Sequence, residues 1–214
     1  MKPQHYRAKG GIWIAAVSAA FVNLAIADTD VRPQNYSEMK SILDVYAQAD
    51  DMMDEKLINA RESLRSKGDE AIPALLMLFK ETTNDQYRAA IVDALQHNKG
   101  PKSISVTFLA GQLEAKVEQW HGQIWIAGAI RFLTTTNPEQ ARNVSRRALN
   151  AQSDFVKQAA ISSLAEVGTT NDIERLRSFA TKRRSSQEDH QNDGVLVKAD
   201  AAIRRISDRA SPER

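Results

Sequence analysis

Apolar positions along this chain recur at helical spacing. Between residues 68 and 97 they fall three or four positions apart, in two runs separated by a short polar stretch. The first run contains Ile72, Leu75, Leu76 and Phe79, and the second contains Tyr87, Ala90, Ile91, Ala94 and Leu95. This spacing places the apolar side chains on one face of each helix. The segment therefore predicts an antiparallel pair of amphipathic helices.

Comparable runs fill most of the remaining sequence. They predict five helix pairs: about 37–49 with 51–66, 69–80 with 84–97, 101–115 with 118–133, 138–151 with 153–167, and 171–183 with 193–207. β-Strand signals are almost absent, because no alternating run of branched residues is bounded by hairpin turns. The predicted fold class is all-α.

Capping residues mark several of the predicted helix ends. Asn137–Gln140 combines a side-chain acceptor, a proline at the first helical position and a glutamine that can reach back. Asn171–Glu174 has the spacing of a second capping box, and Asn84 precedes a third helix start. Gly68 and Gly168 suit helix ends at which a left-handed residue satisfies the last carbonyl groups.

The second helix of the clearest pair has related copies further along the chain. Tyr87–Leu95 and Val156–Leu164 each begin with an apolar residue and a base, continue with small residues and close with leucine; Val197–Ile203 is a looser copy. Self-similarity at a period of roughly 30 to 45 residues is typical of stacked helical arrays. A single pair cannot bury its own apolar stripe, so each pair is expected to pack against the next.

Gly68–Leu76 followed by Tyr87–Leu95 resembles a HEAT repeat of the armadillo-like class, particularly the short type also found in phycobilisome lyases. The resemblance is clearest over 68–97 and 137–168. It implies a right-handed α-solenoid of about five antiparallel helix pairs, whose second helices line a concave surface that usually holds partner proteins. The chain departs from the pattern over 124–133, where no base follows the leading apolar residue.

The first residues have the three-part layout of a secretory leader. A basic start precedes the apolar segment 11–26, and a small-x-small end at Ala27 is followed at once by polar residues. We expect a signal peptide over 1–27 with cleavage after Ala27, leaving a helical-repeat domain over 28–214. The alternatives are a buried N-terminal helix and an uncleaved anchor in the inner membrane, since the apolar segment approaches the length that spans a bilayer.

Removing the leader changes the charge balance. The chain has 29 basic and 27 acidic residues, and the leader contains three of the bases and no acid, which leaves 26 and 27. No dense basic stripe of the kind that nucleic-acid binding needs is present. The bases are nevertheless unevenly spread: residues 28–100 contain 9 bases and 14 acids, whereas 137–214 contain 14 bases and 11 acids.

The chain has no cysteine, so an exported protein of this sequence must be stabilised by helix packing, which suits a bacterial periplasm.

The sequence offers no recognisable catalytic grouping or cofactor site. The four histidines are scattered and thiolates are missing, so a zinc site has little support. No glycine-rich phosphate loop and no serine in a nucleophile-elbow pattern occur. The densest acids, at 50–55, are interpreted as a helix start, where carboxylates complement the helix dipole.

Two features are candidates for partner binding. Arg88, Lys157 and Lys198 are interpreted as falling at the same position in successive second helices and could form a basic row along the concave face. The alternative is that each pairs with a neighbouring carboxylate and fixes the register of the stack. Trp120 and Trp125 flank the start of another second helix; exposed, they would anchor a partner, whereas burial between repeats is favoured because large aromatic side chains are mostly buried.

The remaining predictions concern chain ends and function. The polar stretch 183–194 is predicted to form a loop, and 208–214 is predicted to form a frayed tail.

The leading hypothesis is a non-enzymatic protein-binding scaffold or adaptor, periplasmic or secreted, that contacts a membrane only if its leader is not cleaved. The alternatives are a lyase-like or pigment-handling protein related to the resembled lyases and, third, a nucleic-acid-binding helical-repeat protein.

Overall fold

The structure, a computed structural model, describes residues 32–48, 55–115, 123–186 and 193–211. In these ranges every regular element is an α-helix, and no strand occurs. The helices are α1 (Tyr36–Gln48), α2 (Glu55–Ser66), α3 (Ala71–Glu81), α4 (Asp85–His97), α5 (Lys102–Ala115), α6 (Gln123–Thr136), α7 (Pro138–Ala148), α8 (Asp154–Val167), α9 (Thr170–Ser186) and α10 (Gly194–Ala210). The predicted all-α class is confirmed for the described chain.

Two of the predicted helix starts are made by the expected side chains. The Asn84 side chain accepts a hydrogen bond of 3.1 Å from the backbone N–H of Tyr87. The Asn137 side chain accepts one of 3.2 Å from the N–H of Gln140, and Pro138 is the first residue of α7. Each cap satisfies a backbone donor that lacks a partner within its helix.

The predicted capping box at Asn171–Glu174 is displaced. Helix α9 already begins at Thr170, and the Asp172 carboxylate reaches back to accept a 2.8 Å hydrogen bond from the N–H of Thr169. The prediction placed the cap two residues too late, because Asn171 is an equally good capping residue in isolation. The carboxylate at the third helical position nevertheless performs the reach-back half of the box.

The two glycines predicted to end helices in a left-handed conformation do not adopt it. Neither Gly68 nor Gly168 lies in the left-handed φ region. Gly168 ends α8 with φ −66° and ψ 159°, and its N–H donates to the Leu164 carbonyl at 2.7 Å. Glycine suits this position for a different reason: a Cβ there would overlap the Leu164 carbonyl oxygen and approach Ile206 Cδ1 to 3.0 Å.

The predicted polar loop 183–194 starts too early. Helix α9 continues to Ser186, because Arg183 and Arg184 have ionic partners that hold the last turn. Arg183 pairs with Asp154 and Asp193, and Arg184 pairs with Asp200 of α10 at 2.8 Å. The rest of the predicted loop up to 192 lies outside the described residues.

The predicted tail 208–214 also begins later than expected. Helix α10 continues to Ala210. Arg209 donates to the backbone carbonyl of Gly168 at 3.0 Å and to that of Ala165. These bonds satisfy carbonyl groups at the C-terminal end of α8, a position that favours a cation.

All described helices belong to one compact unit, Pro33–Arg214. Within it, α1 packs against α2, α3 against α4, α5 against α6, α7 against α8, and α9 against α10. The even-numbered helices also contact one another in chain order from α2 through to α10. Alanines on the contact faces, such as Ala90, Ala129, Ala160 and Ala202, are fully or almost fully buried and allow these helices to approach closely.

An aromatic cluster joins the second and third pairs. The Phe79 ring meets the Phe108 ring edge-on, with centroids 5.4 Å apart, and meets the Trp125 ring in the same way at 5.1 Å. Edge-to-face pairs of this kind stabilise beyond the area they bury. Within the described ranges, no helix combines the length and apolar character that a membrane crossing requires.

Candidate protein-binding surface

Arg88 lies half-buried on α4 against the aromatic cluster. Its guanidinium donates to the Thr82 carbonyl at 2.6 Å. It also lies 5.3 Å from the Phe79 ring centroid and 6.0 Å from that of Trp125. The side chain is therefore engaged by the loop before its own helix and by aromatic faces from α3 and α6.

Lys157 also has partners close to it in sequence. Its Nζ donates to Asp154 Oδ1 at 3.0 Å and to the Gln152 carbonyl at 3.3 Å, and its side chain is only 16 % exposed. Counted from the residue that precedes each helix, Arg88 follows Asn84 by the same interval as Lys157 follows Ser153. Both bases turn back toward the loop that enters their helix.

Lys198 occupies a different setting. It lies one residue further from its N-cap, Asp193, than Arg88 and Lys157 lie from theirs. Its exposed side chain donates from Nζ to the Gln158 Oε1 on α8 at 2.8 Å, across the contact between α8 and α10. The three bases thus have three separate sets of partners.

The predicted burial of the two tryptophans can be checked only for Trp125. Trp125 is 2 % exposed, which confirms the favoured burial for this side chain. Trp120 lies outside the described residues, as does the expected cleavage site at Ala27.

A groove opens on the side formed by the second helices of the first three pairs. It has a volume of about 370 Å³, and α2, α4 and α6 line it together with Tyr46 of α1. Its apolar lining includes Leu57, Ala89, Val92 and Ile124, and its charged lining consists of Arg61, Asp93 and Arg131. We call this the second-helix groove. Ile124 is 49 % exposed, which leaves an apolar side chain available at the edge of the groove.

Small residues allow the second-helix groove to form. A Cβ on Gly128 of α6 would lie 3.2 Å from Val92 Cγ1 of α4, so these two helices approach each other closely there. Ala89 lies about one helical turn before Val92 and adds little volume above this contact. Close helix packing therefore forms the floor.

Asp93 is the electrostatic centre of the groove wall. Its carboxylate lies 3.6 Å from Arg61 Nε and 3.9 Å from an Nη2 of Arg65, and it accepts a hydrogen bond of 3.4 Å from the Tyr46 hydroxyl. Arg61 in turn donates to that hydroxyl at 3.1 Å. His97 Nδ1 is 3.3 Å from the other carboxylate oxygen. One carboxylate is thus shared by two guanidinium groups, and the wall retains positive charge.

The same contacts shift the acid–base properties of Tyr46 and Arg61. Burial and the nearby Asp93 charge raise the pKa of the Tyr46 hydroxyl, and Arg61 offsets part of this. The hydrogen bond to Tyr46 is the main cause of a raised pKa at Arg61. Tyr46 consequently stays protonated, and Arg61 stays charged, at every physiological pH.

The sequence pattern did not single out Arg61, Asp93, Ile124 or Arg131. One signal was present: Gln86, Ala89, Asp93 and Gln96 follow helical spacing on α4 and form a stripe outside the apolar face. Comparisons of the chain with protein-family models, with curated proteins and with solved structures find no match. The function is therefore inferred from the sequence and from the geometry of the described residues.

Proposed function

We propose that this chain is an exported, non-enzymatic helical-repeat protein of HEAT type that holds a segment of a partner protein in its second-helix groove. The observation that carries the proposal is the groove itself, which combines an apolar floor with a charged lining of Arg61, Arg131 and Asp93. A concave surface that combines apolar side chains with polar groups is typical of ligand-binding sites.

The pattern of helix contacts supports the α-solenoid part of the proposal. Each odd-numbered helix packs against the helix that follows it, and the even-numbered helices contact one another in order. Five antiparallel pairs stacked in a right-handed superhelix would produce this pattern, and their second helices would line one continuous surface. The first pair is less regular, because α1 also packs against α3 and α4.

The leader supports the proposed location. A basic start, an apolar segment and a small-x-small end at Ala27 are the parts of a secretory signal. We therefore place the partner in the periplasm or cell envelope, with the interaction depending on the mature domain over 28–214. Sequencing the N-terminus of the protein isolated from the cell envelope would test this directly, with Asp28 expected as the first residue.

Site-specific crosslinking tests the groove. A photo-reactive amino acid introduced at Gln86 or Ile124 should give one reproducible partner adduct in intact cells, because both positions line the second-helix groove. The matched control is Thr107, an exposed position on α5. Adducts at Thr107 but not at the groove positions would contradict the proposal.

Substitution of Ile124 by a charged residue makes the test quantitative. Ile124→Glu should weaken partner binding by tenfold or more, about 1.4 kcal/mol, because it places a carboxylate at the apolar edge. Thr107→Glu should leave binding unchanged. Unaltered binding by an Ile124→Glu protein with a normal melting temperature would exclude the groove as the docking site.

A further inference from the structure

A second groove lies between α7 and α9, on the first helices of the last two pairs. It consists of two adjoining cavities of about 510 Å³ and 300 Å³, which share Leu149, Asn150, Phe179 and Lys182 as lining residues. We call it the first-helix groove. It exists because α8 packs closely against α10, whereas the backbones of α7 and α9 hardly approach each other.

The floor of the first-helix groove is apolar. Leu149, which directly follows α7, is 4 % exposed, and Phe179 of α9 is half-buried. Both side chains line both cavities. An apolar side chain placed between the two helices would therefore contact both residues at once.

The rim of the groove is predominantly basic. Arg146, Arg175, Lys182, Lys157 and Arg183 line it, against the single carboxylate of Glu174. Some of these bases already have ionic partners within the fold. Arg183 donates to Asp154 through two nitrogens at 2.7 and 2.9 Å and also pairs with Asp193.

Two of the rim bases remain unpaired. Among the described residues, the side chains of Arg175 and Lys182 have no ion-pair or hydrogen-bond partner, and both residues are exposed. They lie seven positions apart with Phe179 between them, so all three project from one face of α9. That face presents a base, an aromatic ring and a second base along about two helical turns.

Arg146 adds a fixed hydrogen-bond donor opposite this face, and its charge is already balanced by Asp172. Its Nε and one Nη are bonded to Asp172 at 2.6 and 3.1 Å, which holds the guanidinium in place. Its other Nη has no partner among the described residues. A guanidinium already ordered by a buried carboxylate binds a further anionic group at a low additional cost in conformational entropy.

We infer that the first-helix groove is a docking site for an acidic segment of a partner protein, in which an apolar side chain enters the floor between carboxylates. Charge complementarity argues for this occupant, since Arg175, Lys182 and Arg146 surround the floor formed by Leu149 and Phe179. A purely phosphate-rich ligand would use the bases and leave the apolar floor empty. The site is independent of the second-helix groove and involves other helices.

The test uses the mature chain and a displayed library of random 12-residue peptides. Peptides are selected on the wild-type protein and then measured one by one. We expect the enriched peptides to carry acidic residues on both sides of an aromatic or aliphatic residue. Enrichment of peptides without acidic bias, or no enrichment at all, would overturn the inference.

Charge reversal locates the binding site. Arg175→Glu with Lys182→Glu should weaken an enriched peptide by about tenfold or more, and the effect should shrink at high salt. The control is Arg177→Glu with Arg204→Glu, two exposed bases outside the groove, one of them on the same helix. Equal losses in both double variants would show a general charge effect and refute a specific site.

Two further measurements establish whether peptide binding is specific to the first-helix groove. Ile124→Glu, in the second-helix groove, should leave binding of the enriched peptide unchanged. A variant that loses binding at one groove but keeps it at the other therefore distinguishes the two proposals. Polyphosphate of equal charge should compete weakly; if it binds as tightly as the peptide, the groove recognises anionic polymers and the inference is wrong.

Discussion

Arg146 on α7 and Asp172 on α9 are joined by two parallel hydrogen bonds, from Nε to Oδ1 at 2.6 Å and from Nη2 to Oδ2 at 3.1 Å. The Asp172 side chain is fully buried, whereas that of Arg146 is 28 % exposed. Asp172 also accepts from the N–H and hydroxyl of Thr169. The pair links two first helices whose backbones hardly approach each other.

Removal of either partner of this pair should therefore have unequal effects. Arg146→Ala leaves a buried carboxylate without its counter-charge and should lower the free energy of unfolding by about 3–5 kcal/mol. Asp172→Asn leaves a partly hydrated guanidinium and keeps an oxygen for Thr169, so we expect a smaller loss of about 1–3 kcal/mol. Urea unfolding of the two variants measures the difference. Equal losses would show that Asp172 is not buried as tightly as its contacts indicate.

Stability should fall in acid because several aspartates have lowered pKa values in the folded chain. Hydrogen bonds from Arg183 lower the pKa of Asp154 to about 2. Burial alone would raise the pKa of Asp172, but hydrogen bonds from Arg146 and Thr169 outweigh it and the pKa is lowered. Burial likewise opposes the lowered pKa of Asp193, which Arg183 and two backbone N–H groups produce.

The sign of the pH effect follows from these directions. An unfolded aspartate takes up its proton near pH 4, above the pKa of the folded one, so the unfolded state binds more protons as the pH falls. The stabilisation is complete above about pH 5 and is lost progressively between about pH 4 and the folded pKa values. We expect the melting temperature to be flat from about pH 7 to 5 and to drop from about pH 4 to 2.5. Asp172→Asn should show a shallower drop, and an identical drop would assign the effect to other carboxylates.

Local chemistry explains why the helices could be predicted from sequence. Caps such as Asn84 and Asn137 accept hydrogen bonds from N–H groups three residues away, so a short stretch of sequence is enough to predict them. The apolar stripes are likewise local, and Leu75, Leu76 and Leu95 are buried as their spacing predicts. Fold class and most helix positions follow from such short-range patterns.

Long-range partners explain what could not be predicted. Local sequence places the start of α9 two residues too late, because Asn171 is a good capping residue in isolation, whereas the Asp172 carboxylate is fixed by a guanidinium 26 positions away. The last turn of α9 resembles a loop in sequence for the same reason, since Arg183 is held by Asp154 from 29 positions away. The grooves depend on the spacing between α7 and α9 and on how closely Gly128 approaches Val92, which no local pattern specifies.

The burial of the apolar stripe can be tested by truncating one leucine. Leu95 is fully buried on α4, so Leu95→Ala should create a cavity and lower the free energy of unfolding by about 2–5 kcal/mol. Ile124 is about half-exposed and its truncation should cost less than about 1 kcal/mol. Chemical denaturation of both variants gives the comparison. A small loss at Leu95 would mean that α4 presents a different face to the core.

Substitution of Arg88 tests whether the predicted basic row stabilises the fold or binds a partner. The guanidinium donates to Thr82 and lies against Phe79 and Trp125. Arg88→Met keeps a long apolar side chain but loses the hydrogen bond and the cation–π contacts, so we expect a loss of about 1–3 kcal/mol in stability. Lys198→Met removes a base that is exposed and bonded only to Gln158 among described residues, and should change stability by less than about 0.5 kcal/mol.

Binding must be measured beside stability in the same two variants. If Arg88 braces the stack, Arg88→Met should bind the crosslinked partner normally at a temperature well below its own unfolding transition. If Arg88 belongs to a binding row, binding should weaken at that temperature while the melting curve stays unchanged. The partners of Arg88 inside the fold favour the first outcome, since the guanidinium is half-buried, donates to a loop carbonyl and lies against two aromatic rings.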